Sequence, residues 1–189
     1  KNICSFFNNK ILEKFINISS DAIFSDSMSP LNEESAKEPD SIHGQMHLFR
    51  EKYIDETVKS PILSVRPTLI YGYDDPHNGY GPNSFFRKIN NNENVTLFGK
   101  GEELRDHVYI DDVVEVILKL VEKSSTGKFN IVTGEVISFK EIASIIKKVL
   151  DKNIDIIETE RVGKMPHNGY REFNNEKIIN EIENYKFID

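Results

Sequence analysis

The chain has 189 residues, 38% of them hydrophobic, and a formal net charge of −7. That length suits one domain or part of a larger one, and the apolar content is enough for a packed core. No apolar run approaches the 18 residues of a membrane-crossing helix, no basic stripe offers itself to duplex nucleic acid, and the single cysteine, Cys4, leaves no internal disulfide.

The first residues, KNICSFFNNKILEKF, lack both the long apolar stretch and the small-residue cleavage site of a secretory signal. With one cysteine, this favours a cytoplasmic location. Residues 1–10 have the spacing of a helix tail, and KFINISS (14–20) reads as a short strand ending in two serines. The polar, proline-containing stretch 21–40 reads as a loop. Ile42, Met46, Phe49 and Tyr53 recur at three- and four-residue steps and predict a helix over 41–58. After Pro61, the apolar run PILSVRPTLIYG predicts one strand buried on both faces. A short helix at 83–90 and a strand at 94–98 follow. Residues 111–123 read as a helix capped by Asp111 or Asp112. KFNIVTG (128–134) is a further strand, and Ser138 with Glu141 forms the capping-box pattern before a helix at 139–150. A strand at 153–159 and an amphipathic helix at 174–184 complete the series. Strands alternate with helices, so the expected class is α/β with a largely parallel sheet.

Residues 63–86 read LSVRPTLIYGYDDPHNGYGPNSFF, and residues 94–112 read NVTLFGKGEELRDHVYIDD. A buried strand ending in Arg-Pro and Tyr-Gly, a Gly/Pro/Asn loop, a short helix, a Gly-rich turn and an Arg-Asp pair occur in that order. The order resembles the C-terminal portion of the extended short-chain dehydrogenases, the NAD-dependent epimerase/dehydratase family. The likeness runs from about Phe15 onward. It implies a partial Rossmann-type parallel sheet with a small C-terminal substrate-binding α/β lobe. The expected division is one partial domain over 1–189. Residues 1–92 and 127–134 form the distal part of the sheet, and 93–126 and 135–189 mainly the substrate lobe.

A dinucleotide-binding domain opens with a glycine fingerprint between its first strand and helix. Gly99-Lys-Gly101 leads toward LRDHVYI with no helix directly after it, and Gly79-Tyr-Gly81 meets a proline at once. The expectation is a chain that starts mid-domain. The alternative is a short protein that has lost its cofactor half.

The resemblance implies a site residue by residue. Ser20 matches the strand-end serine that hydrogen-bonds the reacting substrate oxygen. Residues alone equally allow Ser19 and Ser20 simply to end a strand and satisfy loop amides. The family's base is a tyrosine followed four residues later by a lysine. In SIHGQMHLFREKY those positions hold His43 and His47. A histidine has an ordinary pKa of about 6.5 and serves as a base near neutrality without help from a lysine. Its ring nitrogen reaches roughly 2 Å less far than a tyrosine oxygen, so a bridging water is expected. His47, shorter than lysine, would grip the nicotinamide ribose less well. A helix that kept its packing and lost its chemistry is the alternative. Zinc held by His43, His47 and a remote His77, His107 or His167 is a weaker one, and no metal is expected.

NAD or NADP is the implied cofactor, with Ser19, Pro67 and Thr68 nearest to it. The implied ligand is a nucleotide-linked sugar. Asn83 and Arg105 match residues that contact its phosphates, with Asp106 orienting Arg105 and Val95 to Phe98 beside the base. A guanidinium suits this because its planar fork donates to two phosphate oxygens at once. Arg161, His167 and Arg171 are candidates from a second phosphate-contacting loop. The implied partner is a second copy of the chain, docked through helix 41–58. A binding module without redox chemistry is the rival reading.

Overall fold

The computed structural model describes residues 6, 10, 12–76, 78–183 and 185–188. The helix tail expected over 1–10 falls almost wholly outside them, as does His77. A central sheet is built from β1 (Phe15–Ile18), β2 (Ile62–Pro67) and β7 (Gly127–Ile131), all parallel in the order β1-β2-β7. β2 lies in the middle and is buried from Leu63 to Pro67, as a strand covered on both faces should be.

The apolar run that begins at Ile62 does not continue as one strand. It breaks at Thr68, and β3 (Leu69–Tyr71) leaves the central sheet to pair in parallel with β6 (His107–Tyr109). Thr68 holds both parts. Its N–H donates to Ile131 O (3.3 Å), and its hydroxyl donates to Asp106 O (3.1 Å).

Beyond the break lies a smaller lobe. β4 (Val95–Phe98) pairs in parallel with β9 (Ile156–Thr159). The short strands β5 (Leu104–Arg105), β8 (Ile137–Ser138) and β10 (Tyr170–Arg171) form a mixed sheet in the order β10-β5-β8. Helix α2 (Pro82–Asn90) starts on a proline, whose missing N–H costs nothing at a helix start, and α4 (Phe139–Val149) carries the full Ser138–Glu141 capping box. Phe85 and Ile89 of α2 close an apolar core with Val95, Leu97, Phe139 and Ile142.

The central sheet has its own core. Leu63, Val65, Phe129 and Ile131 pack against Val116 and Leu120 of α3 (Ile110–Glu122) and against Ile178 of α5 (Glu176–Glu181). The two aspartates of α3 are not its cap. β6 runs into the helix with Tyr109 as the cap residue and no side-chain cap bond. Asp112 turns inward to accept the Tyr185 hydroxyl (2.5 Å) and the Ile188 N–H (3.1 Å). Both acids still lie in the first turn, where the helix dipole favours them.

The helix predicted over 41–58 is α1 (Ile42–Thr57), capped by Ser41 Oγ accepting the Gly44 N–H at 3.0 Å. The stripe that announced it is not its core face. Ile42, Met46 and Phe49 are exposed, whereas Gly44, Glu51 and Ile54 are buried. Glu51 is buried as a charge because Arg66 of β2 meets it bidentately, at 2.9 and 2.7 Å, with neither side chain more than 1% exposed. Burial alone would raise the Glu51 pKa. Hydrogen bonding and the Arg66 charge together outweigh burial and hold it below the usual carboxylate range. No helix among the described residues is long and apolar enough to cross a membrane.

Candidate active site

Parallel strands deliver ligand-binding residues at their carboxyl ends. The ends of β1 and β2 open into a cavity of about 550 Å³. Ser19, Ser20, Asp21, Pro67 and Thr68 line it from the sheet side and His43 from α1. Arg105, His167 and Arg171 line it from the smaller lobe. Eight of the residues singled out from sequence therefore meet here: Ser19, Ser20, His43, Pro67 and Thr68, facing Arg105, His167 and Arg171.

Gly44 makes the approach of α1 possible. A Cβ at that position would lie 2.6 Å from Pro39 Cβ and inside the radius of the Ala22 carbonyl oxygen. The first turn of α1 therefore rests directly on the 3-10 turn Asp21–Ile23, beside Ser20. Ser20 Oγ caps that turn, accepting the Ala22 N–H at 3.1 Å. Its proton reaches Asp21 Oδ1 at 3.3 Å. Asp21 itself was missed from sequence. A carboxylate directly after the strand-end serine was the available signal.

Three of the expected site residues lie elsewhere. His47 does not line the cavity. Its ring sits 4.5 Å from that of His43, edge to face, and its Nδ1 accepts from Arg50 Nη2 at 2.8 Å. Arg50 also donates to Ile18 O at the end of β1. Burial, then the Arg50 and His43 charges, lower the His47 pKa, so near neutrality it is an uncharged ring beside a fixed guanidinium. Asn83 ties the substrate-side loop, accepting the Gly72 N–H (3.1 Å) and donating to Asp75 Oδ2 (2.6 Å). It faces a second, larger cavity of about 830 Å³. Arg161 pairs with Glu103 at 2.6 Å and donates to Phe98 O at 2.9 Å.

Arg105 is 5% exposed and donates to Glu103 Oε2 (3.2 Å) and Pro166 O (3.1 Å). Asp106 does not orient it. That carboxylate turns the other way, accepting from the N–H and hydroxyl of Thr133 (3.1 and 2.8 Å) and the Gly134 N–H (2.9 Å). Burial nevertheless pushes Asp106 up to about 6. Its neighbour His107 donates from Nδ1 to Arg105 O (3.1 Å), and burial pushes it down to about 4. Arg171, 4% exposed, donates to Asp21 Oδ2 (2.9 Å) and Asp21 O (2.6 Å), so it also fixes the turn beside Ser20. His167 is held by Asp26 (2.5 Å) in a left-handed backbone conformation (φ 51°), which costs an ordinary residue about 1–2 kcal/mol. Such strain concentrates at ligand clamps and active sites. Among the described residues no three His, Cys, Asp or Glu side chains gather at metal-binding distance.

The model of the NAD dependent epimerase/dehydratase family matches residues 1–132. The chain belongs to that family. Mouse dTDP-D-glucose 4,6-dehydratase is 27% identical over 169 residues, which cover 85% of this chain and 47% of the mouse protein. Escherichia coli dTDP-4-dehydro-6-deoxyglucose reductase is 30% identical over 161 residues, 80% of this chain and 51% of that protein. The chain thus spans about half the length of these curated relatives. Among solved structures, UDP-glucuronic acid 4-epimerase from Bacillus cereus, in complex with UDP-glucuronic acid and NAD, superposes with a TM-score of 0.85. It is 22% identical, and the match covers 99% of this chain and 60% of the epimerase. At that identity the likeness establishes the fold, a Rossmann-type α/β architecture.

The nicotinamide ring is flat, and its faces pack on apolar side chains. Ile18, Leu69 and Ile70 line the cavity, and each is 40–50% exposed, so apolar surface stands open beside Pro67 and Thr68 at the strand ends. These residues fit the nicotinamide end of a dinucleotide.

Proposed function

We propose that this family member is an NAD(P)-dependent nucleotide-sugar epimerase or dehydratase whose proton-handling residue is His43. The observation that carries the reading is the single cavity at the ends of β1 and β2, with Ser20 and His43 on one wall and Arg105 and Arg171 on the other. Arg105 would hold a substrate diphosphate by charge-assisted hydrogen bonds, and Arg171, whose donors are turned to Asp21 and its neighbours, would add positive charge while holding the turn beside Ser20. Ser20 would orient the reacting sugar oxygen, and His43 would take and return its proton, directly or through one water. Bound beside Pro67 and Thr68, the nicotinamide would supply the hydride acceptor. His47 would act at one remove, through Arg50, whose fixed positive charge stands one turn further along α1. The exposed residues Ile42, Met46 and Phe49 would form the contact with a second copy.

The rival reading is a binding module without redox chemistry. It is favoured by the turning of His47 toward Arg50, away from the cavity. Titrating the full-length protein with NAD or NADP and with UDP- and dTDP-linked sugars, while following nicotinamide absorbance, separates the two. Reduction by any of these sugars establishes the enzyme. Saturable sugar-nucleotide binding with no reduction and no turnover supports the module.

A further inference from the structure

The second cavity, of about 830 Å³, falls within the roughly 300–1,000 Å³ typical of small-molecule sites and has no role in the reaction proposed above. It shares a wall with the first. Arg105 and Asp106 line the cavity at the strand ends, and the next residue, His107, lines the larger one. Most of the larger cavity's surface is apolar. Tyr71 and Tyr109 meet there with ring centroids 5.4 Å apart, Phe86 comes from α2, and Ile142 and the half-exposed Ile145 come from α4.

His107 is the one lining side chain with a buried polar atom left unpaired: among the described residues its Nε2 has no hydrogen-bond partner. Its Nδ1–H is spent on Arg105 O at 3.1 Å, and burial, which pushes its pKa down to about 4, keeps the ring neutral. Near neutral pH Nε2 is therefore an acceptor and not a donor. A buried acceptor without a partner is costly, and a ligand donor that meets it recovers that cost. The charged side chains of the lining are committed or open to water. Glu141 closes the α4 capping box, Arg87 is held by Asn78 Oδ1 (3.2 Å) and the Asp75 carbonyl, and Glu135 and Lys186 are exposed. A charged ligand would lose its hydration with no buried opposite charge to replace it. The aromatic walls favour a ring, which packs on them by its face or its edge.

We propose that the second cavity is a ligand site of its own, for a neutral, largely apolar ring compound that donates one hydrogen bond to His107 Nε2. The site is independent of the nucleotide-sugar assignment, since the two cavities have no lining residue in common.

Indole and indene test this, because they match in shape and only indole carries an N–H. Ligand-observed NMR titration follows both with wild type, His107→Phe and Ile145→Trp, and circular dichroism checks that each variant is folded. Indole is expected to bind wild type about fivefold more tightly than indene, the worth of one neutral hydrogen bond. The difference disappears in His107→Phe, with indene affinity kept. Both probes weaken in Ile145→Trp, whose larger side chain occupies cavity space. In isotope-labelled wild type the His107 Nε2 resonance shifts with indole and stays in place with indene, and this decides the acceptor should His107→Phe fail to fold. No saturable binding of indole to wild type overturns the site. Equal affinity for the two probes, or an indole preference that survives in His107→Phe, overturns the hydrogen bond to Nε2. Affinities unchanged in Ile145→Trp place the probes elsewhere and overturn the proposal.

Discussion

Replacing Gly44 by alanine adds one methyl group at the point where α1 rests on the turn that carries Ser20. Carbon atoms in contact ordinarily sit 3.5–4.0 Å apart, whereas the new Cβ would meet Pro39 Cβ at 2.6 Å and Ala22 C at 3.0 Å. Two of the groups it meets are backbone atoms, which no rotamer change moves aside. The helix start must therefore retreat by about 1 Å. Overpacking of this kind costs about 1–3 kcal/mol. Alanine recovers at most about 1 kcal/mol of helix propensity, and less in the first turn, where Gly44 lies. A net loss of about 1–2 kcal/mol lowers the melting temperature of a domain this size by roughly 2–8 °C. Thermal unfolding followed by circular dichroism measures it. A Gly44→Ala protein melting within 1 °C of wild type would refute the close approach of α1, and with it the placement of His43 beside Ser20.

Removing the charge of Glu51 while leaving Arg66 buried, as in Glu51→Gln, is expected to cost about 3–5 kcal/mol in urea denaturation. The paired replacement Glu51→Leu with Arg66→Met should recover most of that loss, and a single variant within 1 kcal/mol of wild type contradicts the buried pair. Asp106 and His107 give opposed pH effects. The raised Asp106 pKa makes the folded state bind more protons than the unfolded one between about pH 4 and 6, so this group's contribution falls as pH rises. The lowered His107 pKa makes the unfolded state bind more between about pH 4 and 6.5, so its contribution rises with pH. Each is of order 3 kcal/mol, and in wild type they largely cancel. Stability should climb across this range in Asp106→Asn and decline in His107→Gln. Parallel pH profiles for the two variants count against the assignment. His43→Ala should lower kcat at least 100-fold in the full-length protein while sugar-nucleotide affinity is retained. Unchanged turnover removes His43 from the mechanism.

Helices were the most legible parts of the sequence, because each long one carries its own signals. Ser138 caps as its position predicts, and the 3.6-residue period marks α1 even though its apolar stripe proves to be the exposed one. The buried face of α1 was opaque, since Glu51 reads as a surface residue until Arg66 is known to lie against it. Strands β5, β6, β8 and β10 have two or three residues each, too few to show any alternation. The break at Thr68 was hidden for a related reason: an apolar run looks the same whether it stays in one sheet or crosses to another. Ser20, His43, Arg105 and Arg171, singled out by type and order, do line one cavity. The turning away of His47 and Arg161 depends on neighbours distant in sequence, Ile18 for the Arg50 that holds His47 and Phe98 for Arg161. Gly44 shows its purpose only once Ala22 and Pro39 are in place.

The Glu51–Arg66 pair has a mechanical consequence. A slip of α1 along the sheet by a single residue would strand two opposite charges in an interior that cannot solvate either. The helix therefore has one permitted berth, and the imidazole it carries is indexed to the strand ends like a tooth in a ratchet. Across the cleft the buried Arg171 is tied to Asp21 in the same way, so the smaller lobe is moored to the turn that carries Ser20. Both jaws of the cleft thus close on fixed stops, an arrangement that holds the spacing between its two walls constant.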